Sequence, residues 1–163
     1  MAHTTDALLD RRTLLLSLVL AAAATPLGAT ATRPRITIWK DPNCGCCGAW
    51  GEHLARAGFP ITVFDDADME AVKSRFGVPD GLRSCHTAEV GGYVLEGHVP
   101  AEAIGRLLAE RPPIRGLAVP GMPIGSPGME VAGMAPETYA VRAFKSDGTA
   151  SDFMTFTGSS PIG

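Results

Sequence analysis

No apolar run in this chain reaches the roughly 20 residues a helix needs to cross a bilayer; the stretch from Thr13 to Ala24 falls well short. There is no basic cluster, and the formal net charge is −3, so the surface has nothing with which to neutralise a run of phosphates and nucleic acid is not an expected partner. No internal repeat, heptad pattern or low-complexity tract is visible beyond the leader. Phosphate-binding glycine loops, hydrolase triads and paired catalytic carboxylates are equally missing, which leaves most enzyme classes without machinery.

The N-terminus reads as an address. Arg11 and Arg12 precede the apolar run, and Ala29-Thr30-Ala31 offers the small residues that signal peptidase accepts. Residues 1–31 are therefore expected to be a signal peptide, leaving no membrane anchor after cleavage. Arg11-Arg12-Thr13-Leu14-Leu15 resembles a twin-arginine signal, although Asp10 stands where that pattern prefers Ser or Thr; the Sec and twin-arginine routes both stay open. Either leads to a periplasmic or extracellular location. Residues 32–163 then form one domain, since roughly 130 residues suffice for one core and not for two. Asp6 and Asp10 cancel Arg11 and Arg12, so cleavage leaves the net charge unchanged.

Four cysteines in an exported chain would ordinarily suggest a disulfide framework. A domain of this size needs no such staples. Cys44, Cys46 and Cys47 are crowded into four positions, where they reach one another or one shared ion and cannot tie distant segments together.

Along the chain, Arg35 to Trp39 alternates as a strand and stops at Asp41-Pro42-Asn43. From Gly48 the spacing turns helical, with Trp50, Leu54 and Ala55 on one side, until Gly58 and Pro60. The cysteines thus sit at a strand-to-helix turn. Ile61 to Phe64 predicts a second strand, and Met69 to Phe76 a helix with N-cap candidates in Asp65 to Asp68. Two short strands flank Gly91-Gly92 as a hairpin, with Cys85 and His86 just before the first. A helix opens at Pro100 and ends at Pro112-Pro113. A Gly/Pro/Met-rich loop from Val119 to Met134 and a C-terminal hairpin around Ser146-Asp147-Gly148 complete the chain.

A strand, a Cys-x-x-Cys turn opening a helix, then β-α and a hairpin followed by a helix is the layout of thioredoxin-like folds, with Cys44 and Cys47 in the two cysteine positions. The segment from Ile36 to about Gly158 resembles the CopG-like family of periplasmic copper-resistance proteins. The matching stretches are Asp41-Pro42-Asn43-Cys44-Gly45-Cys46-Cys47-Gly48, Ser84-Cys85-His86-Thr87, Glu96-Gly97-His98-Val99-Pro100, and Pro120 to Glu130. The resemblance implies a thioredoxin-like α/β fold and copper binding at Cys44, Cys46, Cys47 and Cys85. Where such folds place a cis-proline, this chain has Ser84-Cys85-His86-Thr87, which would bring a fourth thiol to the turn.

Thiolates and thioethers select Cu(I), while Zn(II) would accept four thiolates, or three and an imidazole. Copper, as Cu(I), is the expected cargo and zinc the lesser one. Cys46 argues for metal, because dithiol exchange needs no third cysteine inside its turn. His86 is a candidate ligand beside Cys85, and Met122 and Met129 could cap a metal or fill space under their loop. His98, in the turn before the Pro100 helix, is a weaker candidate: it serves the site if the loop folds over it, and is otherwise a solvated turn histidine; His53 is read as a surface residue and Trp50 as core. The leading function is sequestering or relaying copper, with other periplasmic copper-handling proteins as partners. The alternative is a thiol-disulfide oxidoreductase using Cys44 as nucleophile and Cys47 as resolving thiol.

Overall fold

The computed structural model describes residues 32–162; the expected signal peptide, residues 1–31, lies outside them. Within this range a mixed α/β architecture joins three helices to one sheet of eight strands. The strands are β1 (Ile36–Lys40), β2 (Ile61–Asp65), β3 (His86–Val90), β4 (Tyr93–Glu96), β5 (Gly116–Ala118), β6 (Thr138–Phe144), β7 (Ala150–Thr157) and β8 (Ser160–Ile162). The helices are α1 (Gly45–Arg56), α2 (Met69–Phe76) and α3 (Ala101–Glu110). The strand order is β2-β1-β3-β4-β5-β6-β7-β8. β1 pairs with β2 and β4 with β5 in parallel; the other neighbours are antiparallel. None of the described helices is long and apolar enough to cross a membrane.

Alternation along the strands decides which face each side chain serves. In β4, Tyr93 and Leu95 join the main core while Val94 points to the other face. β5 divides the same way between Leu117 and Ala118, and β6 between Val141 and Phe144. The main core gathers Ile36, Ile38, Leu95, Leu117 and Phe156 from the sheet with Trp50 and Leu54 of α1 and Ile104 and Leu107 of α3. On the opposite face, Phe76, Val78 and Leu82 cover Val94, Ala118 and Phe144. α1 packs closely on β1 at Gly51, where a Cβ would meet Ile38 Cδ1 at an ordinary contact distance of 3.6 Å. Trp50 Nε1 donates to the Val99 carbonyl at 2.9 Å, fixing α1 to the segment that enters α3.

The expected β-α-β-α-β-β-α order is present, with three differences, one of them the additional edge strand β8. α1 starts at Gly45 rather than Gly48, so Cys46 and Cys47 belong to its first turn. β5 has no counterpart among the expected elements, and it links the C-terminal hairpin to β4 in one continuous sheet.

Candidate metal centre

The chain leaves β1 through a turn built by Asp41. Its Oδ1 accepts from Asn43 N at 2.7 Å and its carbonyl accepts from Cys44 N at 2.9 Å, which reverses the chain straight into α1. Cys44 is the N-cap and its side chain makes no capping bond. The sulfurs therefore collect at the positive end of a helix dipole, where negative charge is favoured. Cys44 and Cys47 form a disulfide, with Cα atoms 5.6 Å apart. Cys46 is free, its Sγ 3.5 Å from Cys44 Sγ.

Cys85 reaches the same place from the neighbouring strand: β3 pairs antiparallel with β1, Lys40 opposite His86, so the residue just before β3 stands beside the turn that leaves β1. The Sγ atoms of Cys44, Cys46, Cys47 and Cys85 all lie within 4.8 Å of one another. The arrival of Cys85 at the turn is the long-range contact expected from the sequence. A second group overlaps the first, because Cys85 Sγ, His86 and His98 also offer ligand atoms within 4.8 Å. His86 Nδ1 and His98 Nε2 each lie 3.1 Å from Cys85 Sγ.

Of the two alternatives for His98 the structure takes the one in which the loop folds over it rather than the solvated turn: the residue is 0% exposed. Its Nδ1 is 2.8 Å from the Pro127 carbonyl, which only accepts, so Nδ1 carries the proton and Nε2 presents a lone pair to Cys85. The hairpin register contained the signal. β3 and β4 pair Val90↔Tyr93 through Thr87↔Glu96, and two further steps away from the turn set Cys85 opposite His98. His53 is likewise half-buried rather than on the surface, and its Nε2 accepts from Ala101 N at 3.3 Å. Trp50 is core, as expected.

The imidazole of His86 is wedged between rings, 4.3 Å from Trp50 and 5.0 Å from His98 by centroid. Its Nε2 is buried without a partner. Burial above all, with His98 and Lys73 adding to it, holds His86 well below the usual histidine range; burial also lowers His98. Both rings are therefore neutral at physiological pH and able to act as nitrogen ligands. Burial, reinforced by Cys46, pushes the Cys85 thiol up to about 12. A soft cation entering here must displace that proton and supplies the charge that makes the thiolate tolerable.

The Val119 to Met134 segment closes over this corner. The Gly121 carbonyl accepts from Ser84 Oγ. Pro127 holds His98, and Gly128, at φ +87°, presses on the first turns of α1 so closely that a Cβ would lie 2.7 Å from Trp50 N. Met122, beside Gly121, is 54% exposed, and Met129 is half-buried. Both thioethers ride on the covering loop.

A family model described as "Protein of unknown function, DUF411" matches residues 82–129, from just before Cys85 through Met129. Two solved structures are similar over most of the chain. "Copper resistance protein copG- Form 1" is 46% identical, with a TM-score of 0.72, covering 77% of this chain and 99% of that one. "Copper resistance protein copG- Form 2" gives the same identity and TM-score over 76% and 98%. No curated protein matches.

Proposed function

The chain belongs to the family of CopG copper resistance proteins, and from that premise we propose that it binds copper ions, as Cu(I), outside the cytoplasm and sequesters or relays them. The observation that carries the reading is the convergence of four cysteine sulfurs within 4.8 Å of one another. Such a set is soft, compact and rich in potential negative charge, the combination Cu(I) prefers. With Cys44 and Cys47 joined, two of the four ligands are withheld. A dithiol reductant that delivers two electrons and two protons returns them as thiols and leaves as its own disulfide.

In this reading Cys44, Cys46, Cys47 and Cys85 hold copper, His86 and His98 add nitrogen ligands at the Cys85 side, and Met122 and Met129 guard the opening. The domain of residues 32–163 is thioredoxin-like, which the element order and the cysteine turn at the β1–α1 junction support. Residues 1–31 direct export to the periplasm, where other copper-handling proteins donate or receive the ion. The test is anaerobic competition between the reduced domain and a Cu(I) chelator, with zinc as the rival metal. Cu(I) should be retained in preference to zinc; tight zinc retention with weak Cu(I) binding overturns the assignment.

A second reading has one observation in its favour, the Cys44–Cys47 disulfide: the pair could instead exchange disulfides with other proteins, Cys44 attacking and Cys47 resolving. Cys46→Ser separates the two. It should harm copper binding and leave exchange at Cys44 and Cys47 intact. Unchanged copper stoichiometry together with robust disulfide reductase activity would promote the oxidoreductase.

A further inference from the structure

One buried carboxylate grips the chain on both sides of Cys85 and His86. Glu96, at the end of β4, is 0% exposed. Its Oε1 accepts from the Ser84 backbone N–H at 2.6 Å and from Lys73 Nζ at 2.7 Å. Its Oε2 accepts from Thr87 Oγ1 at 2.7 Å. Lys73 Nζ, reaching in from α2, also donates to Thr87 Oγ1 at 3.3 Å. Lys73 and Thr87 are buried as well.

We propose that Glu96 and Lys73 are positioning residues for the metal centre: the carboxylate clamps Ser84 and Thr87 so that Cys85 and His86 are held facing the Cys44–Cys47 turn. A buried ion pair is poor evidence of stabilisation, because well-packed apolar residues of similar volume often do as well or better. What the pair supplies here is direction. Ser84 and Cys85 lie outside β3, which begins at His86, so Ser84 N has no strand partner and is satisfied by the Glu96 carboxylate instead. Lys73 balances the charge of that carboxylate, so no bare anion sits beneath ligands that themselves become anionic. Gly97 allows the arrangement to close: at φ +69° it passes so near Ser84 that a Cβ would lie 2.7 Å from Ser84 Cβ.

The inference rests on the copper reading for its consequence but not for its geometry, and the test uses both. Two double variants leave no uncompensated charge. Lys73→Met/Glu96→Gln keeps a carbonyl for Ser84 N and an amide for Thr87 Oγ1; Lys73→Met/Glu96→Met has similar bulk and no hydrogen-bonding atoms there. The metal-free readout is crosslinking of Cys46 to Cys85 by a short bifunctional alkylating reagent, with Cys44 and Cys47 changed to Ser. The second readout is Cu(I) affinity with all four cysteines present. The Gln variant should crosslink like its parent and hold Cu(I) nearly as tightly. The Met variant should crosslink several-fold less, and its Cu(I) affinity should fall by about 10-fold or more, as losing an outer-shell partner does. Equal crosslinking in the two variants, high or low, would overturn the proposal. Should the Met variant not fold, Thr87→Val removes one arm of the clamp and must lower crosslinking; no decrease overturns the proposal too. A parent that crosslinks well and binds no Cu(I) would instead defeat the copper reading and leave the clamp standing.

Discussion

The part of the chain from β1 to α3, elements and connections together, carries all four cysteines and both fully buried histidines, whereas β5 to β8 carry none of them. The buried polar and charged groups divide in the same way. Lys73, His86, Thr87, Glu96 and His98 lie in the first region and Ser126 on the covering loop, with none in the C-terminal strands. Burying such groups costs free energy unless each finds partners. A scaffold kept for stability alone would look like the second region, where Val141, Phe144 and Phe156 pack and the polar residues face outward. The contrast teaches that one sheet supports two kinds of interior: an apolar one that holds the chain together and a polar one that orients ligands.

If that division is real, stability and metal binding should respond to different residues. Phe156→Ala, removing a fully buried ring stacked near Tyr139, should cost about 3–5 kcal/mol in denaturant unfolding. Copper stoichiometry of the folded protein should stay unchanged. Cys85→Ala reverses the pattern. It deletes the sulfur common to both ligand groups, and Cu(I) affinity measured by chelator competition should fall by more than the ~10–100-fold that loss of an outer-shell partner costs. The melting temperature of the metal-free protein should barely move. Equal losses of stability and affinity in both variants would erase the distinction.

Gly128 tests the boundary between the regions. An alanine there must take up φ +87° and crowd the α1 backbone, which should cost roughly 1–3 kcal/mol. Because Pro127 holds the His98 ring, the same change should weaken copper binding as well. A loss of stability with copper affinity intact would show that the loop merely covers the site.

The parts legible from sequence were those with local causes. The strand before Cys44, the helix closed by Gly77 in the left-handed region, the hairpin at Gly91-Gly92 and the α3 start at Pro100 all announce themselves through period, cap or turn chemistry. β5 did not, because three residues buried on every side show no alternation. β8 did not either: it is a short edge strand containing Pro161, a residue that argues against a strand when seen alone. At the site, three cysteines were evident from crowding. His98 carried too little weight because a turn histidine by itself shows no sign of burial and its partnership with Cys85 emerges only from the hairpin register; the Glu96–Lys73 pair was missed because its partners are separated along the chain and meet only after α2 packs.

The Gly91-Gly92 turn, both of whose residues have positive φ, has a consequence at the opposite end of its strands. A two-residue connection of this kind permits essentially one alignment of the strands it joins. The five residues of β3 make a lever roughly 17 Å long at ~3.4 Å per residue, and its tip is where Cys85 meets His98. Lengthening the turn by a single residue would slide β4 by one place and send alternate side chains to the wrong face. A different neighbour would then stand opposite the thiol while every ligand remained in the sequence. The number of residues between that cysteine and that histidine is thus as much a specification of the centre as their identities, and a chain that keeps both residues but alters the interval has lost it.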